Sequence, residues 1–180
     1  MFQVNERGRM HVEMYSLRDN GVVPNSHLPT VYFRALCSFS SNDIKSVCRN
    51  IEELIRPNNW KLDWVDENAV HRYTHYHSTA HEMLIVLKGT SELRVGGSNG
   101  KEVRLNAGDG IVIPAGVAHR RISGRKDFTV AGIYPNGQKW DMMRQTRTDY
   151  KESKKNISSV SLPTADPFFG TDGPLMMWWS

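Results

Sequence analysis

Three histidines and one glutamate stand in this sequence at spacings that suit a metal ion: His75-Tyr76-His77, then Glu82, then His119. Side chains two apart on a strand share a face, so His75 and His77 present two imidazoles in one direction. Glu82 arrives on the neighbouring strand, and His119 on a later one. Neutral imidazoles with one carboxylate suit Fe(II), Mn(II), Ni(II), Cu(II) or Zn(II). Four such ligands on a six-coordinate ion leave two positions open, where a substrate binds and is polarised. A closed tetrahedral zinc site would instead be structural.

The same parity nominates two catalytic side chains. Tyr73 lies two residues before His75, and its hydroxyl would act as donor or acid beside the metal. Arg121 lies two residues after His119, where its planar fork would grip a substrate anion. Arg120 points the other way. Asp109 is a carboxylate within reach of Arg121 in this reading. His81 adjoins Glu82 and on an extended strand points away from it, as a turn residue or a partner of a ligand; the turn geometry also leaves it open as a ligand in place of one of the four. His71 shares the parity of His75 but sits further out, and His11 and His27 read as surface residues.

The spacers around these residues carry a resemblance. The pattern His-x-His-x4-Glu-x6-Gly runs from His75 to Gly89, and Gly-x5-Pro-x-Gly-x2-His runs from Gly108 to His119. Together they resemble the two signature motifs of the cupin superfamily. Ala69 stands where the first motif usually opens with Gly, and Ser123 where the second usually closes with Asn; neither is a ligand position. The run from His75 to Glu82, the Gly96-Gly97 turn and the ending Asp166-Pro167-Phe168-Phe169-Gly170 with Gly173-Pro174-Leu175 look like the YjlB-type cupins, over roughly residues 28–179. The resemblance implies an all-β, single-domain jelly-roll barrel with a divalent transition metal on His75, His77, Glu82 and His119. It also implies a metal-dependent oxidoreductase of dioxygenase type acting on a small, anionic or enolisable organic molecule. Isomerase and decarboxylase chemistry belong to the same set, and a non-catalytic small-molecule-binding or sensing cupin is the alternative. No helix-turn-helix segment precedes the barrel, which counts against a regulator.

The elements that must hold this site are partly readable. Residues 1–27 read as an N-terminal arm, with a weak edge strand from His11 to Leu17 and a loop from Gly21 to Pro29. Residues 28–180 read as one cupin domain with its core barrel at about 60–135. One principal helix is predicted from Asn42 to Ile55. Ile44, Val47, Cys48, Ile51 and Ile55 recur at helical steps on one apolar face. Ser41 or Asn42 would cap it, Asp43 would sit in its first turn, and Cys48 reads as a buried core thiol. Strands are expected at 71–77, at Glu82–Lys88, on both sides of the Gly96–Gly100 turn, at Ile111–Ile113 and at Phe128–Ile133, and a short helix within 138–149. Glu82, Leu84 and Val86 point inward in this scheme. Met83, Ile85 and Leu87 point outward yet are apolar, so that face needs a cover. The helix, the C-terminal tail or a second subunit would serve. That face, with Trp178-Trp179 near the end of the chain, predicts a homodimer. The aromatic-rich tail is expected to pack on the body.

Composition narrows the partners. At 180 residues the chain suits one domain with a substantial core. The net charge is only +4, and no clustered basic stripe of the kind that binds nucleic acid stands out. No apolar run approaches the ~20 residues that span a bilayer. Two cysteines, Cys37 and Cys48, make no disulfide framework, and the first ten residues lack the apolar core of a secretion signal. A soluble cytoplasmic chain that works on a small molecule, without nucleic acid or membrane, is the expectation.

Overall fold

Period-two alternation dominates the chain. In the computed structural model, which describes residues 2–5, 10–40, 43–67 and 70–179, it produces two facing antiparallel sheets. The elements in chain order are β1 (Phe2–Val4), β2 (His11–Tyr15), β3 (Thr30–Arg34), β4 (Cys37–Phe39), α1 (Ile44–Ile55), β5 (Trp60–Glu67), β6 (His75–Tyr76), β7 (Glu82–Lys88) and β8 (Thr90–Val95). They continue with β9 (Lys101–Asn106), β10 (Gly110–Ile113), β11 (His119–Gly124), β12 (Thr129–Pro135), β13 (Met143–Arg144), α2 (Arg147–Ile157) and α3 (Pro174–Trp178). One sheet has the order β2-β3-β10-β7-β12-β5 and the other β13-β6-β11-β8-β9; β1 pairs with β4 alone. The result is a jelly-roll β-barrel. Within residues 1–27, β1 pairs with β4 and β2 with β3.

Alternation sorts the apolar residues into two layers. Tyr32, Leu84, Val86, Ile111, Ile113 and Val130 of the six-stranded sheet meet Leu93, Val95, Val103 and Leu105 of the five-stranded sheet inside the barrel. The intervening residues Val31, Phe33, Met83, Ile85, Val112 and Ile133 face the other way, onto Val47, Ile51 and Ile55 of α1 and onto Leu175 and Trp179 of the tail. Met83, Ile85 and Leu87 are therefore buried within one chain. Helix and tail supply the cover that the sequence left open, so these three residues do not call for a second subunit.

α1 begins at Ile44, two residues later than the start expected at Asn42. Asp43 is its cap, accepting from the Lys45 amide at 3.1 Å, and no acidic residue occupies the first turn. The suggested caps Ser41 and Asn42 lie outside the described residues. Val47, Ile51 and Ile55 are buried, and each such side chain contributes roughly 1.5–3 kcal/mol. Cys48 sits at the edge of this face and is half-buried rather than fully enclosed, while Cys37 is buried.

Two elements differ from the sequence reading. The strand foreseen at 71–77 shrinks to His75–Tyr76, because the chain bends before it and the Arg121 amide bonds to the His71 carbonyl at 2.9 Å. The helix expected within 138–149 instead runs from Arg147 to Ile157, so α1 is not the only sizeable helix. Thr146 caps it by accepting from the Asp149 amide, and Lys154 and Lys155 complement its negative end. Residues 138–142 stay irregular because their polar groups bond the 78–81 turn instead of one another.

The tail is fastened by hydrogen bonds as well as packing. The buried Asp166 carboxylate accepts from the amides of Phe168, Phe169 and Leu175 at 2.9–3.1 Å. Trp60 donates to the Ala165 carbonyl, and Trp179 donates to the Pro29 carbonyl, at 2.8 and 2.9 Å. Trp178 is 42% exposed and Trp179 only 1%. Trp179→Ala is expected to cost about 3–5 kcal/mol in urea denaturation, whereas Trp178→Ala should stay within about 0.5 kcal/mol. Equal losses would contradict this placement of the tail.

Candidate metal centre

The two sheets meet at one end of the barrel, and each contributes ligand-type side chains there. His119 opens β11 and is the direct cross-strand partner of His75 on β6. His77 follows β6 by one residue. Glu82 opens β7 in the opposite sheet, paired with Ile113. The Pro114-Ala115-Gly116 turn brings the two motifs together: the Gly116 amide donates to the His77 carbonyl at 2.7 Å. Gly116 has φ +89°, and a Cβ there would lie 2.5 Å from the Asn25 carbonyl oxygen, so no other residue fits without strain.

The three imidazoles are oriented by the backbone. Nδ1 of His75 faces the Tyr73 carbonyl and Nδ1 of His119 the Val117 carbonyl, both at 3.2 Å, and Nδ1 of His77 bonds closely to the Asp141 carbonyl. A carbonyl only accepts, so each Nδ1 carries the proton and each Nε2 lone pair is left for another partner. The three rings offer ligand atoms that all lie within 4.8 Å of one another. Glu82 lies beside two of these rings, with Oε1 3.6 Å from His77 Nε2 and Oε2 3.2 Å from His119 Nε2. All four side chains are buried, and Glu82 Oε2 has no hydrogen-bond partner among the described residues. A buried carboxylate oxygen facing unprotonated ring nitrogens fits a cation.

The electrostatics agree with ligand chemistry. Burial and the neighbouring His119 and His77 rings press the His75 pKa down to about 2, which keeps that imidazole neutral. Burial alone would lower His77, but the Glu82 carboxylate outweighs it and raises the pKa. Burial alone would raise Glu82, but His77 and His119 hold its carboxyl well below the usual range. The raised His77 and the lowered Glu82 are the two sides of one buried ion pair, and a cation among the rings would take the place of the His77 proton.

A cavity of about 260 Å³ opens from these residues, walled also by Trp64, Tyr134, Trp140, Leu84 and Met142, with Asp66 and His71 toward its mouth. Neither Tyr73 nor Arg121 is among the residues that line it. Tyr73 is exposed and outside the cavity wall, its ring between His71 at 4.4 Å and the Arg144 guanidinium at 3.4 Å. It left the shared face because the strand it was assigned to does not extend past His75. Arg121 keeps the parity of His119 and is buried, but it is not among the residues that line the cavity, and its amide bonds the His71 carbonyl. Burial and the nearby Arg72 cation lower its pKa. Asp109 is not its partner: that carboxylate accepts from the Tyr32 hydroxyl and from the amides of Ala35 and Asn106. Among the described residues no lysine or arginine lines the cavity.

His81 is structural. Its Nδ1 accepts from the Ala115 amide at 3.0 Å, its ring packs on Trp179 at 4.7 Å, and burial lowers its pKa to about 4. Sequence reasoning missed Tyr134, whose hydroxyl bonds Glu82. A signal existed: alternation from Val130 through Gly132 carries Tyr134 to the inner face. It also missed the residues 138–142, which put Trp140 and Met142 on the cavity wall. Here Asp141 accepts from both the amide and the hydroxyl of Ser78, while its own carbonyl holds His77.

The fold, the spaced ligands and the chain-wide likeness agree on a family: this chain belongs to the cupin superfamily. A family profile described as cupin domain matches residues 65–130. Within the superfamily it groups with YjlB of Bacillus subtilis (strain 168), itself described as uncharacterized, to which it is 34% identical over 168 residues, 93% of this chain and 96% of that protein. Among solved structures it is similar to an 11S globulin from Wrightia tinctoria, with TM-score 0.35 and 19% identity over 39% of this chain and 18% of that one. It is also similar to a single-substitution variant of oxalate decarboxylase from Bacillus subtilis, with TM-score 0.36 and 13% identity over 65% of this chain and 23% of that one. This chain therefore spans only about a fifth of the length of those two proteins. No helix among the described residues is long and apolar enough to cross a membrane.

Metal content by mass spectrometry separates ligand from scaffold. His77→Ala should lose the metal, by far more than the roughly tenfold to hundredfold typical of residues that only support a ligand. His81→Ala should retain it while melting earlier. Equal occupancy in wild type and His77→Ala would remove His77 from the ligand set.

Proposed function

We propose that this chain is a metal-dependent enzyme acting on a small, enolisable organic molecule, with dioxygenase-type oxidation as the leading reaction. The observation that carries the reading is the convergence of ligand atoms of three histidines, with the Glu82 carboxylate beside two of them, on the wall of an open cavity. A ligand set that reaches solvent through a cavity is what catalysis needs and a structural site does not. His75, His77, His119 and Glu82 would hold the ion, with Fe(II), Mn(II), Ni(II), Cu(II) and Zn(II) all compatible with these donors. When bound, such an ion supplies Lewis acidity at its open positions.

The rest is the work of the chain itself. Trp64, Tyr134 and Trp140 give flat apolar walls that hold a planar substrate and exclude water. His71 and Asp66 are titratable side chains toward the mouth, outside the ligand set, placed to take a proton from a substrate carbon or hydroxyl. Without a guanidinium or ammonium on the described wall, substrate charge must be met mainly at the metal. That favours a neutral diketone, catechol or enol over a dianion held by arginine. The volume limits the substrate to a small molecule.

The reading predicts metal-dependent turnover. Protein purified anaerobically and loaded with each metal in turn should consume oxygen with at least one member of a panel of small diketones, catechols and thiols, and His77→Ala should not. Binding of panel members without turnover, with and without oxygen, would instead favour a sensing protein.

A further inference from the structure

Glu82 is not free to present both of its oxygens. Oε1 accepts a close hydrogen bond from the Tyr134 hydroxyl, while Oε2 carries none. The direction of that bond is fixed by a third residue. The Trp64 indole N–H donates to the Tyr134 oxygen at 2.9 Å. An indole N–H cannot accept, so the single tyrosine proton must go to Glu82. Both the carboxylate and the tyrosine are buried.

The backbone is shaped for this relay. Gly132 pairs with Trp64 across β12 and β5, and a Cβ on Gly132 would lie 2.1 Å from the Trp64 ring. Only glycine leaves the indole room to lie over β12 and reach Tyr134. The pairing register shifts just after Gly132. From the cavity side the Trp140 ring lies nearly parallel to Tyr134, at 21°, and its own N–H is tied to Asp63 at 3.0 Å. Two indoles thus restrain one phenol whose proton points at one carboxylate oxygen.

We propose that Tyr134 is a positioning residue for Glu82: held by Trp64, its hydroxyl occupies Oε1 and leaves Oε2 as the oxygen that Glu82 offers to a cation among the three imidazoles. This rests on the metal reading above and adds a consequence to it. A carboxylate restricted to one oxygen takes one coordination position. One released from Tyr134 is free to take two, closing a position that a substrate would use.

The test uses Co(II) as the probe, bound to the full-length chain, read by its visible absorption and by competition with a chelator. Wild type is expected to bind one Co(II). Tyr134→Phe should move and rescale the absorption bands and change Co(II) affinity by roughly tenfold or more, the size seen for residues that orient a ligand. Trp64→Phe, which frees the tyrosine but keeps its bond to Glu82, should change the same bands less. In a Glu82→Ala background, Tyr134→Phe should have no further effect, because its influence passes through the carboxylate. Circular dichroism checks the fold of each variant, and Trp64→Phe carries the test if Tyr134→Phe does not fold. Unchanged bands and affinity in the folded variants, or an equal additional loss without Glu82, would overturn the proposal. A wild type that binds no Co(II) would overturn the metal reading itself, which is a different result.

Discussion

The open end of the barrel depends on where three ring protons go. Each imidazole of the centre gives its Nδ1 proton to a backbone carbonyl, of Tyr73, Val117 or Asp141. A side-chain acceptor at those places would titrate or swing away. A carbonyl does neither, so the main chain fixes Nδ1 as the nitrogen that donates and leaves Nε2 as the one that can meet a cation. Two of these carbonyls lie two residues before the histidine they hold, so strand geometry supplies them. The third comes from 64 residues away, which makes residues 138–142 part of the site.

That segment is held by a turn made almost wholly of polar contacts. Asp141 clamps Ser78, Gln138 accepts from the His81 amide, and Thr79 donates to the Lys139 carbonyl at 2.8 Å. α2 then closes the arrangement, with Asn156 donating to the Ser78 hydroxyl at 2.9 Å and Tyr76 buried against Ser153. On the other sheet Glu82 starts a strand that is apolar on both faces, covered inside by the barrel and outside by α1 and the tail. Such a strand has no freedom to slip, because a one-residue shift would exchange two buried faces. The carboxylate is therefore as fixed as the rings it faces, and His81 links the two parts by packing on Trp179 while bonding Ala115.

What the sequence disclosed was what local rules determine. The spacing of His75, His77, Glu82 and His119, the glycine and proline turns between them, and the alternation along Glu82–Lys88 depend on neighbours a few residues away. The twofold burial of Met83, Ile85 and Leu87 announced a cover without naming it, since helix and tail join the sheet only through distant contacts. Tyr73 was misplaced because parity holds only while a strand lasts, and this one begins at His75. Arg121 kept its parity, yet it does not line the cavity. Tyr134 stood on a strand whose alternation was readable. Its importance comes from meeting Glu82 across the sheet, 52 residues away in the chain, and no local pattern carries that.

The central claim is a position in space, and anomalous scattering measures it directly. Crystals grown with a transition metal and recorded at its absorption edge should show one strong peak per chain, about 2.0–2.2 Å from Nε2 of His75, His77 and His119 and from an oxygen of Glu82. A peak at other side chains, with these four residues bonded only to one another or to water, would contradict the account.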